Sequence, residues 1–172
     1  MRPSVVVFAC GNPSRGDDAL GPVLLDRLQA WLDVEGISQG FELIGDFQWQ
    51  IEHALDLAGR RLALFIDAGS ATPAPFRFYQ TFAGDNTSHT THAISPEAVL
   101  AVLPRVSSEV PPSAFVLCVR GEHFELGEEL SQSAQANGNE AFDFLRRLCA
   151  IPALATWKGL AIDVQAVSAA PT

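Results

Sequence analysis

The sequence predicts an α/β fold, a three-layer α/β/α sandwich around a mainly parallel, twisted sheet of about five strands. Three observations lead there. Apolar runs alternate with helical periodicity along most of the 172 residues. The chain opens as strand, turn and helix, the unit from which open α/β sheets are built. The run Leu62-Ala63-Leu64-Phe65-Ile66, after Arg61, is apolar throughout, as suits a central parallel strand covered on both faces.

In order, Val5-Val6-Val7-Phe8-Ala9-Cys10 reads as a buried strand because it is apolar and rich in β-branched residues. Leu20, Leu24, Leu28, Trp31 and Leu32 then fall on one face of a helix, with Pro22 in its first turn. A second strand occupies residues 41–44 and ends at Gly45-Asp46. The next helix places Ile51, Ala54, Leu55 and Ala58 on one face, and Gly59 closes it. The third strand, residues 61–66, ends in Asp67-Ala68-Gly69-Ser70. Phe76, Phe78 and Phe82 alternate with polar neighbours, so residues 75–82 form a half-exposed strand near an edge. Residues 84–91 are polar and predict a mobile loop. Ser95-Pro96 starts a helix, cap followed by proline, which is expected to stop before Pro104. Residues 114–119 give another strand. A loop over 120–129 leads into a helix ending near Leu148. Residues 1–150 thus form a single domain. The pattern is lost from Ile151 onward, so 151–172 is expected to be a partly ordered C-terminal tail.

Bulk properties exclude several classes. At 48 % hydrophobic residues the chain is globular, and no apolar run approaches the ~20 residues of a membrane helix. The N-terminus lacks the pattern of a signal peptide, which predicts a cytoplasmic protein with no membrane partner. A net charge of −9 without any basic cluster argues against nucleic acid. Cys10, Cys118 and Cys149 are isolated and odd in number, so they read as small buried hydrophobes.

The chemistry-bearing residues lie in loops at or after strand ends, and such loops meet at the carboxyl edge of a parallel sheet. The first is the turn GNPSRGDDALG, residues 11–21, which carries Asp17 and Asp18. One carboxylate is accounted for as an N-cap of the following helix. The other has no evident structural duty and is a candidate metal ligand or catalytic group. Asp67 follows the central strand, where a turn aspartate bonding its own backbone is the plain alternative. His89 lies in the polar loop and His92 borders it, where a merely solvated histidine is the commoner case. Two carboxylates with an imidazole suit a borderline divalent metal such as zinc or nickel. Asn12 has a simple use in fixing the turn. A nucleotide site is disfavoured, because the turn lacks G-x-G-x-x-G and a P-loop lysine, and two aspartates repel phosphate.

The pattern Gly11-Asn12-x4-Asp17-Asp18-x2-Gly21 after a first strand resembles the hydrogenase maturation endopeptidases. Phe65-Ile66-Asp67-Ala68, Thr91-His92 shortly before a helix, Arg120-Gly121, and Phe124-Glu125-Leu126-Gly127-Glu128 running into Leu130-Ser131 extend the resemblance over about residues 5–145. Asp46-Phe47-Gln48 with Glu52-His53 is similar to the branch serving soluble, NAD-linked bidirectional hydrogenases. The resemblance implies a protease that removes a C-terminal extension from the large-subunit precursor of a nickel–iron hydrogenase. It implies Asp18, Asp67 and His92 as metal contacts, with His89 the competing histidine. The metal is nickel already seated in the precursor, and no tightly bound cofactor of the enzyme's own is implied. Three ligands leave positions open for substrate thiolates and water. Asp17 and Asp18 are the expected catalytic acids, with Asp17 a helper that orients the turn or the attacking water. They do not form an aspartic-protease dyad, because neighbours at a helix start point in different directions. A monomer whose partner is the precursor is expected. The alternative is a nickel-checking chaperone or metal-binding module that uses the same trio without hydrolysis.

Overall fold

The computed structural model describes residues 1–84 and 94–162. Its strands are β1 (Val5–Cys10), β2 (Phe41–Asp46), β3 (Leu62–Gly69), β4 (Phe76–Thr81) and β5 (Ser113–Arg120). Its helices are α1 (Leu20–Glu35), α2 (His53–Leu57), α3 (Pro96–Val106), α4 (Gln132–Ala150) and α5 (Leu154–Leu160). The strands form one sheet in the order β2-β1-β3-β5-β4, parallel except for β4, which runs antiparallel to β5 at the edge. The expected α/β fold is therefore the observed one. Among the described residues no helix is long and apolar enough to cross a membrane.

Strand alternation divides the core in two. Val5, Val7 and Ala9 of β1 face a cluster built on α1, α4 and α5, while Val6, Phe8 and Cys10 face a cluster built on α2 and α3. Since β1 is buried at all six residues, its sequence is apolar on both faces. From β1 the chain crosses to β2 on one side, then returns past β1 to β3 on the other. The strand order therefore reverses between β1 and β3. The carboxyl ends of these two strands form the switch point, where α/β sheets open a crevice for ligands.

Four local expectations are corrected. The second helix has only five residues and buries His53, Ala54 and Leu57. The predicted face fails, with Ile51 at 51 % and Leu55 at 54 % exposure. Five residues make about one and a half helical turns, too few for a period to establish which side packs. α3 begins at Ser95 as expected, its hydroxyl accepting the Ala98 N–H at 3.2 Å, but it continues through Pro104. The proline lies in the last turn, where Ser107 N–H still reaches Leu103 O at 3.0 Å, so only one ladder bond is missing. β3 runs on to Gly69, because β5 continues to pair with it. Beyond Ile151 the chain forms α5, whose Trp157 is fully buried between Phe78 and Phe115 and donates its indole N–H to Leu148 O at 2.9 Å. Residues 163–172 lie outside the described part.

Candidate functional site

The crevice begins with unequal strands. Pairing of β1 with β3 stops at Ala9–Ile66, whereas pairing of β3 with β5 continues through Asp67–Cys118 to Gly69–Arg120. Asp67 therefore lies within β3, one residue past its ladder with β1, where the chain of β1 turns away. Its side chain is half-buried and accepts the Ala68 N–H at 2.7 Å. Burial pushes its pKa up to about 6, and the charge of Asp18 adds to this. The Ala68 N–H and the Cys10 thiol oppose the rise without cancelling it.

Asp18 comes from the turn that β1 enters. Its Oδ2 accepts the Asn12 N–H at 2.7 Å, closing the turn on itself. Asn12 Oδ1 accepts the Ser14 N–H at 2.9 Å, the local bond expected of this residue. Gly11 is required for this closure. Its φ is +149°, and a Cβ there would stand 1.9 Å from the Asp18 carbonyl oxygen.

Neither carboxylate caps α1. A single 3-10 turn, Gly16–Ala19, precedes the helix, and the N-cap is Ala19, which makes no side-chain bond. Asp17 is fully buried and faces the other way. It accepts N–H bonds from Glu122 at 2.8 Å, His123 at 3.0 Å and Ser131 at 2.8 Å, and the Ser131 hydroxyl at 2.9 Å. Burial alone would raise its pKa; these bonds outweigh burial and hold it below the usual carboxylate range. Ser131 is itself the N-cap of α4. Asp17 is thus a latch between the first turn and the loop from β5 to α4. Gly16, with φ +55°, lets His123 O approach, and Asp17 N–H donates to that oxygen at 2.7 Å. The loop's Glu128 O and Gly127 N–H also bond Gly16 and Ser14, at 3.0 and 2.8 Å.

A carboxylate–imidazole pair stands on the other side of β1, beside the end of β2. His53 Nε2 lies 3.3 Å from Asp46 Oδ2, while its Nδ1 accepts the Gln50 N–H at 3.0 Å. With Nδ1 accepting, the proton of neutral His53 sits on Nε2 and points at Asp46. Asp46 O in turn accepts the Gly11 N–H at 3.1 Å, tying this pair to the Asp18 turn.

Of the predicted residues, Asp18 and Asp67 come together near enough for one charge to act on the other. Asp17 is adjacent in sequence and separate in role. His89 and His92 lie outside the described residues. Among the described residues, no three His, Cys, Asp or Glu side chains form a group that could hold a metal ion. Cys10, read from the sequence as a hydrophobe, borders Asp67. Strand register is the signal that would have found it.

No family profile and no curated protein sequence matches this chain. Solved structures do. The nickel–iron hydrogenase maturation protease HycI of Thermococcus kodakarensis KOD1 superposes with a TM-score of 0.67 at 16 % identity, covering 87 % of this chain and 94 % of that one. The fold is that of the hydrogenase maturation proteases. The hydrogenase-maturating endopeptidase HybD of E. coli gives 0.62 at 22 % identity, covering 88 % and 93 %. An endopeptidase of Escherichia coli gives 0.63 at 20 %, covering 95 % and 96 %. In this fold the crevice between β1 and β3 is flanked by two carboxylates whose charges disfavour one another. Burial and the neighbouring Asp18 charge leave Asp67 able to hold a proton near pH 6.

Proposed function

We propose that this chain is an endopeptidase that removes a C-terminal extension from the nickel-loaded large-subunit precursor of a nickel–iron hydrogenase. The observation that carries this reading is the placement of Asp18 and Asp67 at the switch point of a fold shared with hydrogenase maturation proteases. The two carboxylates supply oxygen ligands to the nickel of the substrate. His92, outside the described residues, supplies the third ligand on the strength of the sequence resemblance. Open positions on the ion are filled by substrate thiolates and water. Water polarised by the ion or by a carboxylate attacks the scissile peptide. Asp17 serves catalysis by orienting the turn that presents Asp18. The chain works as a cytoplasmic monomer without a resident cofactor. Its assignment to the branch serving soluble NAD-linked hydrogenases rests on Asp46-Phe47-Gln48 and Glu52-His53.

The test is incubation of purified protein with a nickel-loaded precursor, followed by mass measurement of the released peptide. One discrete C-terminal peptide is expected, and none from an Asp18→Ala variant whose melting is unchanged. A folded wild-type protein that binds the precursor and releases nothing would support the non-hydrolytic chaperone instead.

A further inference from the structure

Two arginines on one face of the sheet each carry a buried donor without an acceptor. The Nε atoms of Arg77 and Arg120 are closed off from solvent and meet no hydrogen-bond partner. Among the described residues, no other buried side-chain nitrogen or oxygen is left in this state. Buried polar groups are paired as a rule, so two orphans in one place point to a ligand. Register puts them in one place. β4 runs antiparallel to β5, so its first residues lie at the carboxyl edge, where the crevice opens. Arg77 is there the partner of Cys118, and Cys118 is the partner of Asp67 on β3. Arg120 follows Cys118 by two positions and so faces the same side, toward α2 and α3. Diagonal neighbours of this kind are ~7–8 Å apart.

Thr72 ties the group together. Its hydroxyl donates to Cys118 Sγ at 3.0 Å, and its carbonyl accepts the Arg120 Nη1–H at 3.0 Å. Arg120 also faces Glu122 Oε1, but at 3.6 Å, too long for a hydrogen bond. Arg27 and Arg60, likewise shielded from solvent, each donate to a close acceptor. Arg77 instead meets only the face of Tyr79 among the described residues, at 5.5 Å from the ring centre. A carboxylate fits this pair, because planar guanidinium groups take it through paired N–H bonds. Asp67 disfavours a dianion nearby more than a single negative charge. Arg77 and Asp67 are two strands apart, about 10 Å, a span that one short extended peptide covers.

We propose that Arg77 and Arg120 form a carboxylate-binding subsite for the precursor's C-terminal extension, leading that peptide from Asp67 toward β4. The carboxylate is an acidic side chain of the extension or its chain terminus. The identity of the peptide as a substrate rests on the protease reading above; the anion site does not.

Two measurements separate these claims. The first adds a synthetic peptide with the sequence of the extension to protein carrying isotope-labelled arginine. The Nε–H resonances of Arg77 and Arg120, assigned with Arg77→Gln and Arg120→Lys, are expected to shift together. Amidating the peptide terminus, or replacing its acidic side chains by amides, should abolish the shift in one case and so identify the carboxylate. Resonances that do not move, or that move equally with a peptide stripped of every carboxylate, would overturn the proposal whatever the chain's activity. The second follows precursor processing. Arg120 also holds the Thr72 carbonyl, so Arg77→Gln, which breaks no described hydrogen bond, carries this test. It should raise KM about ten- to hundredfold, the scale of hydrogen bonds to a charged group, with kcat within about twofold of wild type. Neutralising the identified carboxylate in the precursor should raise KM as much for wild type and no further for Arg77→Gln. Normal processing with KM unchanged in Arg77→Gln would overturn the subsite and leave the protease reading standing. Shifted arginine resonances in a protein that cleaves nothing would support the subsite and count against the protease reading alone.

Discussion

Asp67 is the residue where fold stability and function oppose each other. Its pKa is pushed up to about 6, chiefly by burial, against an ordinary value of 3.8. Between these values the native state binds a proton that the unfolded chain has released. Stability therefore falls as pH rises through this window and stays reduced above it. Asp67→Asn removes the charge and keeps an oxygen for the Ala68 N–H. It should stabilise the protein by about 1–3 kcal/mol at pH 8 and lose that advantage near pH 4, while abolishing processing. Thermal melts at the two pH values read this directly. A variant less stable than wild type at pH 8 would show that the Asp67 charge is already compensated in the free protein. Asp67 was legible as a site candidate because it follows an apolar strand. Its raised pKa was not, because that depends on neighbours from other segments.

At the scale of elements, the first turn and the loop from β5 to α4 act as one unit through Asp17. The sequence showed two adjacent acids and offered helix capping as the duty of one. The donors that occupy Asp17 are 105 to 114 positions away, so no local pattern contains them. Asp17→Ala would leave three N–H groups and a hydroxyl in a buried pocket without their acceptor. It should cost about 3–5 kcal/mol, well above the loss of a surface cap. Its pKa is lowered, so this contribution is fully present above about pH 4 and is lost as the pH falls through the folded-state value. Hydrogen exchange should show residues 121–131 losing protection together with the first turn. Loss of protection in the first turn alone would break the latch account. The same reasoning explains the elements that were misread. α2 and α5 have five and seven residues, too short for periodicity, and each is held by contacts from distant chain. In α5 one side chain, Trp157, supplies most of the burial.

For the molecule as a whole, the alternation of strands and helices made the sheet and its layers readable. The strand order did not follow from that alternation. It depends on which way each crossover turns, and it is the order that places β1 and β3 at the switch point. The central claim is that this crevice reads a metal carried by the substrate. In that claim, two carboxylates and one imidazole, without the closed ligand set of a structural site, would hold a free divalent ion only modestly. On the function proposed above, thiolates of the precursor would complete the coordination and supply the differential affinity on which gating depends. The most direct measurement gives metal-free protein the nickel-loaded and nickel-free precursors side by side and follows the shortened large subunit on a gel. The account predicts cleavage of the nickel-loaded form alone; efficient cleavage of the nickel-free form would contradict it.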